Sequence, residues 1–243
     1  MLEIAWYAPR IVLVFAALVF PILFFVTAPY GRHARPGWGP SIPARLGWVV
    51  MEAPSFFLFA ALWVQNPGFG SLVVTTLGLA WLLHYGQRTF VFSLLMRDQG
   101  KSKPLLTVLM AIVFNVLNAS GNAAALGDRR VDASFVVGLL LFALGFGLNL
   151  HADHVLRTLR KPGETGYRVP HGGLYRWVSA PNYLGEIVEW VGFAIAAQTL
   201  AGWAFALFTI ANLAPRAVSH HRWYRQQFPD YPAGRRALIP YLW

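Results

Sequence analysis

One carboxylate stands inside a strongly apolar segment of the first half of the chain. Glu52 lies a few residues into the segment 46–64, directly before Ala53 and Pro54, and no basic residue is near it in the sequence. An ionised carboxylate at that depth in a membrane is costly unless it is paired, protonated or in contact with water. Glu52 therefore either makes a structural hydrogen bond at a proline kink or serves a ligand, and we expect it to serve a ligand.

A second polar group occupies the apolar segment 71–96. His84 and Arg88 are spaced i,i+4 and share one helix face, with Tyr85 beside it. A lone tyrosine in such a segment is also typical of an aromatic anchor at the membrane interface. A tyrosine hydroxyl beside a carboxylate, however, is a hydrogen-bond donor suited to polarising a carbonyl group in a dry site. We therefore expect Tyr85 to act together with Glu52.

Polar side chains form two stripes on predicted helices of the second half. The first stripe is Asn149, Asp153, Arg157 and Arg160, and the second is Asn182, Glu186 and Glu189. Each stripe repeats at helical spacing and lies on a single face. An ion pair within the helix between Asp153 and Arg157 is one explanation of the first stripe. A dinucleotide is another, because guanidinium groups bind phosphates well. Facing stripes of opposite charge predict a buried polar seam.

The last apolar segment repeats the i,i+4 spacing with Arg216, His220 and Tyr224. The neighbouring pair His220 and His221 diverges by about 100 degrees on a helix, and H-E-x-x-H spacing is lacking, so we expect no metal site. No G-x-G-x-x-G motif lies between a strand and a helix; the segment 145–147 instead predicts close helix packing. A nucleotide must therefore bind without a Rossmann fold.

The composition predicts an integral membrane protein. Of 243 residues, 56% are hydrophobic and 12% are charged, against roughly 25% charged in soluble domains. The formal net charge of +10 is explained by basic loops that stay on the cytoplasmic side, so we expect no nucleic-acid partner. Without cysteine, the chain has no disulfide, iron–sulfur cluster or thiolate metal site, and redox chemistry requires a bound organic cofactor.

Seven apolar segments are long enough to cross a hydrocarbon core of ~30 Å as helices. They are predicted at 11–28, 46–64, 71–96, 104–126, 133–159, 182–200 and 201–221. The fold class is therefore an all-α, polytopic membrane protein with seven transmembrane helices. Basic connections, at 31–45, 97–103, 160–181 and after 221, alternate with neutral ones. This alternation predicts an N-terminus outside and a C-terminus in the cytosol.

Long motifs in the chain resemble a known family. The run LRKPGETGYRVPHGGLYRWVSAPNYLGEIVEWVGFA and the later RAVSHHRWYRQQFPDYPAGRRALIPYLW are similar to the C-terminal domain of the steroid 5α-reductases. HYGQRTFVFSLL and EAPSF in the first half are similar to the same enzymes, so the resemblance covers most of the chain. It implies seven membrane helices, NADPH as hydride donor, and reduction of the Δ4 double bond of a 3-oxo steroid to the 5α product.

The resemblance also implies roles for single residues. Glu52 and Tyr85 match the catalytic pair that holds and polarises the steroid C3 carbonyl. Met51 departs from the glutamine that animal enzymes commonly have before the glutamate, which bears on which steroid fits. The positions that match the NADPH site are Asn149, Asp153, Arg160, Tyr167, Arg168, Asn182, Glu186, Arg216, His220 and Tyr224. Arg88 joins them in our prediction of cofactor-binding residues.

We expect a single seven-helix domain, 1–243. Helices of 1–103 would face the substrate, and 104–243 would bind NADPH. The loop 163–181 and the tail would close over the cofactor as an arginine-rich lid that excludes water. The expected partners are a steroid and membrane lipid, and we expect a monomer. The excess of arginine over lysine indicates a bacterium and hence its inner membrane; in a eukaryote, the endoplasmic reticulum is expected instead.

Two other classes of protein remain as alternatives. An isoprenylcysteine-type membrane methyltransferase, which uses S-adenosylmethionine, has a similar C-terminal region, but Glu52, Tyr85 and the arginine stripe favour a reductase. A transporter or channel would place polar residues along several helices across the full membrane depth, whereas here they crowd toward one side.

Overall fold

The protein is mostly helical. A computed structural model describes residues 2–29, 31–33, 35, 37–96, 100–161, 164 and 166–243. The helices are α1 (Leu2–Phe25), α2 (Ala44–Trp63), α3 (Leu72–Gly86), α4 (Ser93–Leu95), α5 (Leu105–Ala125), α6 (Ala133–Thr158), α7 (Pro181–Ala197) and α8 (Leu200–Gln227). A π-helical segment, Gln87–Phe92, joins α3 to α4, and a short 3-10 turn covers Gly173–Arg176. The short strands β1 (Ser41–Pro43) and β2 (Ser102–Pro104) pair antiparallel, with Ser41 opposite Pro104.

The helices lie close to the predicted segments, with three differences. α1 begins at Leu2 rather than at 11, α8 continues to Gln227 rather than 221, and the helix predicted over 71–96 is divided by the π-helical segment. In the described chain, α1, α2, α5 and α6 are long and apolar enough to cross a membrane. α3 and α7 are shorter, at 15 and 17 residues. The structure is therefore that of an all-α membrane protein with four candidate spans.

Side-chain caps set the start of three helices. The Ser71 hydroxyl accepts from the Val74 N–H at the start of α3, and the Asp132 carboxylate accepts from Phe135 N–H at 2.8 Å at the start of α6. At the start of α8, the Thr199 hydroxyl accepts from the Gly202 N–H. Each cap satisfies a backbone donor that the first helical turn leaves without a partner, so these short polar connections fix where the helices begin.

Helices α6 and α7 pack with their backbones in direct contact. A Cβ atom added at Gly145 would lie 2.2 Å from the Glu189 nitrogen, and one added at Gly185 would lie 2.5 Å from the Asn149 nitrogen. Gly138 and Gly192 approach the opposite backbone in the same way. Small residues permit such an approach between membrane helices. The close-packing prediction for 145–147 is correct at Gly145, whereas Gly147 has nothing within 4 Å.

A cluster of aromatic side chains forms the core between α2, α3, α7 and α8. The ring of Trp81 stacks on Phe59 with 4.6 Å between centroids, and Trp190 lies 4.3 Å from Phe205. All four residues are buried. Tyr85 lies against this cluster, 5.0 Å from the Trp81 ring. The cluster therefore holds Tyr85 in one position.

The basic connections of the chain gather at one end of the bundle, which we call the basic end. It comprises the loop before β1, the β1–β2 pair, the loop between α6 and α7, and the tail after α8. His33 contacts His220 there, and Lys101 lies 5.8 Å over the Tyr167 ring. Arg97 of the predicted basic turn and Gly163 at the start of the predicted lid lie outside the described residues.

Candidate active site

A cavity of about 970 Å³ opens within the bundle toward the basic end. This volume is at the upper end of the range of roughly 300–1,000 Å³ for small-molecule sites. One wall is apolar, with Phe15 and Leu18 from α1, Phe114 from α5, and Phe205 and Phe208 from α8. The predicted site residues on its lining are Glu52, Tyr85, Arg88, Asp153, Arg160, Asn182, Glu186 and Arg216. Most of the predicted residues thus share one space.

Glu52 and Tyr85 line the same cavity from neighbouring helices. α2 presents Trp48, Met51 and Glu52 to the cavity, and α3 presents Tyr85 from its last turn. Tyr85 is buried, and Glu52 is only partly exposed. An Asn115 amide on α5 donates to the Met51 carbonyl at 2.5 Å, which fixes the turn of α2 that carries both Met51 and Glu52.

Arg88 leaves the π-helical segment and crosses the cavity to α6. Its Nη1 donates to Asp153 Oδ2 at 3.1 Å. The guanidinium lies over the rings of Trp48 and Phe92, at 4.8 and 4.5 Å from their centroids. The Trp48 indole in turn donates to the Arg88 carbonyl at 2.9 Å. π-helical turns often occur at functional sites, and here the segment places the guanidinium at the boundary between the two halves of the chain.

The two polar stripes meet as one seam between α6 and α7. The Asn149 amide donates to the Asn182 carbonyl at 3.0 Å and to Glu186 at 3.4 Å. The Asn182 amide donates to Asp153 at 3.2 Å. Asp153 thus pairs with Arg88 and Asn182; in the described chain no Asp153–Arg157 ion pair forms, and Arg157 contacts His154 instead. The glycine contacts between α6 and α7 bring these short side chains within bonding distance.

A hydrogen-bonded chain leads from the cavity to the first loop. Arg216 donates to the Tyr183 hydroxyl at 2.9 Å, and that hydroxyl lies 3.0 Å from His220 Nε2. His220 Nδ1 lies 3.1 Å from His33 Nε2. Burial, and then the charges of Arg32 and Arg216, lower the pKa of His33 to about 4. His33 is therefore neutral near pH 7.

Five predicted residues are not on the cavity wall. Asn149 lies in the seam and His220 in the hydrogen-bonded chain described above. The other three lie at the basic end. Arg168 is exposed and pairs with Glu164 at 2.9 Å. Tyr167 packs against Trp223 at the surface. Tyr224 is buried beneath the Arg32 guanidinium, 4.6 Å from its ring centroid, and stacks on Tyr231. Tyr167 and Arg168 belong to the loop between α6 and α7, and Tyr224 lies in the last turn of α8 at the basic end.

Lys103 lines the cavity, although its place in the sequence predicts only a charge in a basic connection. It is 7% exposed, and its ammonium lies 3.6 Å from Met51 Sδ and 4.1 Å from the Trp48 ring centroid. Burial lowers the pKa of Lys103 to about 7, opposed by Glu52 and reinforced by Arg216 and Arg88. Pairing of β1 with β2 brings this lysine over the cavity, and no helical spacing in the sequence signals it.

The donor set of the cavity fits an anionic, phosphate-bearing cofactor. Five cationic side chains and three acidic ones line it. Three of the cationic side chains, Arg157, Arg160 and Arg216, come from the C-terminal parts of α6 and α8 and the residues just after α6, near the basic connections. Among the residues described, no group of three metal-ligating side chains comes together.

Comparison with known proteins assigns the family. A family model described as 3-oxo-5-alpha-steroid 4-dehydrogenase matches residues 101–243, more than half of the chain. 3-oxo-5-alpha-steroid 4-dehydrogenase 1 of Bos taurus is 43% identical over 232 residues, which cover 91% of this chain and 90% of the relative. The chain belongs to the steroid 5α-reductase family.

Relatives from two other organisms support the same family assignment. 3-oxo-5-alpha-steroid 4-dehydrogenase 2 of Homo sapiens is 40% identical over 239 residues, 91% of either chain. Steroid 5-alpha-reductase DET2 of Gossypium hirsutum is 40% identical over 233 residues, 91% of this chain and 90% of the relative. The protein is accordingly an oxidoreductase of steroid metabolism. Membership indicates a nicotinamide cofactor, and the apolar helices fit a membrane protein.

For a steroid 5α-reductase, this cavity offers two kinds of surface in one space. The apolar wall from α1, α5 and α8 suits a rigid hydrocarbon body, and the polar side chains of Tyr85 and Glu52 line the same space. A buried hydroxyl that donates to an oxygen is most effective where water is excluded. The sequence predicted this pair, whereas Trp48, Lys103, Tyr183 and His33 enter the site only through packing between distant segments.

Proposed function

We propose that the protein reduces the Δ4 double bond of 3-oxo-Δ4 steroids to 5α-reduced 3-oxo steroids, with NADPH as reductant. The observation that carries this proposal is a single cavity of about 970 Å³ that has an apolar wall, the pair Glu52 and Tyr85, and an arginine-rich end. The family relationship supplies the reaction class. The cavity supplies a place for both a steroid and the reactive end of a dinucleotide.

Tyr85 acts on the substrate carbonyl in this proposal. Reduction of an enone places negative charge on the C3 oxygen, so a donor aimed at that oxygen lowers the barrier. Tyr85 donates from its hydroxyl, and the aromatic cluster around Trp81 keeps the ring in place. Glu52 shares the cavity wall and orients the tyrosine and the carbonyl. When bound, NADPH would supply a hydride, which carries two electrons and one hydrogen, to C5. One proton added at C4 would then complete the reduction.

The cofactor would lie at the arginine-rich end. The residues proposed to hold it are Arg88, Asn149, Asp153, Arg160, Tyr167, Arg168, Asn182, Glu186, Arg216, His220 and Tyr224. The seam of Asn149, Asp153 and Asn182 offers amide and carboxylate groups, and Arg160 and Arg216 offer guanidinium groups for phosphate. Arg160 also donates to the Gly166 carbonyl at 2.8 Å, which ties the following loop to α6. That loop, which carries Tyr167 and Arg168, forms a cover that excludes water together with the tail and the last turn of α8, which carries Tyr224.

The same proposal includes the topology. Seven helical crossings, with the segment from α3 to α4 counted as one, place the N-terminus outside and the basic end in the cytosol, as the positive-inside rule requires. The helices of 1–103 form the substrate side and those of 104–243 the cofactor side of one domain. Arg88 and Asp153 join the two sides.

The decisive experiment measures NADPH oxidation by purified protein in detergent, with and without testosterone or progesterone, and the stereochemistry of the product. Steroid-dependent oxidation that yields the 5α product supports the proposal. Tight NADPH binding without steroid-dependent oxidation would still agree with a reductase, but it would exclude 3-oxo-Δ4 steroids as the substrates. Absence of NADPH binding contradicts the proposal, and S-adenosylmethionine is then the ligand to test.

A further inference from the structure

A second cavity, of about 780 Å³, lies outside the site described above. It is formed by the end of α6, the turn 171–177 and the tail, and it shares no residue with the first cavity. The side chains on its lining include His151, His171, Arg176 and Arg235, together with Leu148 and Trp177. Four of these side chains are basic or imidazole groups, and the described lining contains no carboxylate.

Arg235 is the central feature of this second cavity. Its side chain is only 3% exposed, yet Nε and Nη1 have no hydrogen-bond partner in the described chain. A buried guanidinium without a counter-charge is costly, and proteins normally pair it with an anion. The buried charge of Arg235, on a described lining without a carboxylate, therefore indicates an anionic ligand.

The other polar groups of the second cavity are also donors. Arg235 Nη2 lies 3.3 Å from His171 Nδ1, and because a guanidinium can only donate, that nitrogen is the acceptor. The neutral ring of His171 then carries its proton on Nε2. Arg176 is exposed on the same lining. Guanidinium and imidazole N–H groups without a nearby carboxylate are typical of a phosphate site.

The walls of the second cavity are joined to each other. The Ser179 N–H donates to the Arg236 carbonyl, and the Arg236 N–H donates to the Trp177 carbonyl, both at 2.9 Å. On the other side, Gly173 lies so close to His151 that a Cβ atom would be 2.4 Å from its Nε2. The turn, the tail and α6 thus form a constructed pocket rather than a gap between loops.

An apolar stripe on α6 leads into the second cavity. Val137, Leu140 and Leu144 are 50%, 66% and 55% exposed and lie on one helix face. Leu148 and His151 continue that face at helical spacing and line the cavity. Trp177, 36% exposed, stands beside them, as tryptophan does at membrane interfaces. A ligand with a phosphate and long hydrocarbon chains matches this arrangement.

We propose that the second cavity binds the phosphate of an anionic membrane phospholipid, whose acyl chains lie along α6. The phosphate contacts Arg235, Arg176 and His171, and the chains cover the exposed leucines of α6. Because the tail carries Arg235 and also helps to cover the basic end, the bound lipid holds the tail in place. This proposal does not depend on the steroid reaction.

The test compares lipids in nanodiscs and micelles. Native mass spectrometry of the whole protein measures retention of phosphatidylglycerol against phosphatidylcholine, and thermal unfolding measures stabilisation by each lipid. We expect preferential retention of phosphatidylglycerol and a loss of about fivefold in that preference for Arg176→Gln, since one basic group near an anionic surface contributes ~1 kcal/mol. Arg235→Gln should lose more of the preference for phosphatidylglycerol than Arg176→Gln does. Because Arg176 is exposed, its variant should fold and can test the proposal even if the Arg235 variant does not fold.

Arg222→Gln is the matched control. Arg222 is exposed near the C-terminal end of α8, at the basic end of the bundle, and it lines neither cavity. Equal retention of the two lipids, or an equal effect of the Arg222 variant, would overturn the proposal. Inorganic phosphate or glycerol 3-phosphate that stabilises the protein as well as the lipid does would show a soluble phosphate site instead. If Arg235→Gln weakens NADPH binding while lipid retention is unchanged, the arginine serves the cofactor site and the proposal is wrong.

Discussion

Arg88 and Asp153 form an ion pair across the two halves of the chain, with 3.1 Å between guanidinium and carboxylate. The two side chains are only 13% and 9% exposed. The pair ties the π-helical segment after α3 to α6, at the boundary between the proposed substrate and cofactor sides. Neither helix could shift along the other without separating these charges.

We expect Asp153→Asn to lower the free energy of unfolding by roughly 3–5 kcal/mol, because it leaves a largely buried guanidinium without its counter-charge. Unfolding in detergent with increasing denaturant measures this change. Asp230→Asn is the control, since Asp230 is exposed in the tail. If both variants lose the same stability, the ion pair does not hold the halves together.

Tyr85→Phe removes one hydroxyl and keeps the ring against Trp81. We expect kcat with a 3-oxo-Δ4 steroid to fall by about 10²–10³-fold, the usual effect of removing one donor to a developing oxyanion. The affinity for NADPH should not change. Steady-state kinetics and fluorescence titration of NADPH measure the two quantities. Tyr7→Phe, at an exposed position of α1, is the control and should behave as wild type. If turnover by the Tyr85 variant is unaltered, Tyr85 does not polarise the carbonyl.

The presence of α1, α2, α5 and α6 was predictable from the sequence, because apolar runs of membrane-spanning length are a strong local signal. Spacing also predicted the seam, since Asn149 and Asp153 on one helix are four residues apart, as are Asn182 and Glu186 on the next. The pairing within it was not predictable. Asp153 has Arg157 one turn away but binds Arg88, because only the packing of α3 against the α6–α7 pair brings Arg88 there.

Long-range contacts explain why the sequence did not predict the remaining residues of the site. Lys103 reaches the cavity through a three-residue strand whose partner, β1, lies some 60 residues earlier in the chain. His33 meets His220 across 187 positions. Such contacts leave no periodic pattern for a sequence to show. The π-helical segment likewise has no Gly or Pro inside it to signal the break.

The glycine contacts between α6 and α7 predict opposite outcomes at two neighbouring positions. Gly145→Ala places a methyl group 2.2 Å from the Glu189 nitrogen, so the helices must separate. We expect a loss of stability of at least 1–3 kcal/mol, typical of overpacking, and lower NADPH affinity because the seam widens. Gly147→Ala meets nothing within 4 Å and should be neutral or stabilising by up to about 1 kcal/mol through helix propensity. Thermal unfolding in detergent compares them; equal midpoints would contradict direct backbone contact.

The buried lysine in the cavity predicts a pH dependence of stability. Burial lowers the pKa of Lys103 from 10.5 to about 7, so the folded protein releases this proton at a lower pH than the unfolded chain does. Between about pH 7 and pH 10.5 the unfolded state binds more protons, and the free energy of unfolding rises with pH by at most about 1.4 kcal/mol per unit. Below pH 7 both states are protonated, and the slope vanishes.

Lys103→Met removes the titrating group and the slope with it. The difference in free energy of unfolding, Met variant minus wild type, should therefore be greatest below about pH 7 and shrink toward pH 10.5. Lys161→Met is the control, because Lys161 is exposed and should leave the pH dependence unchanged. Denaturant unfolding across this pH range gives both curves. Glu52, Arg88 and Arg216 face Lys103 in the cavity and are the same in both proteins, so their titration cancels to first order in the difference. A difference that stays constant with pH would show that the ammonium keeps its ordinary pKa despite burial.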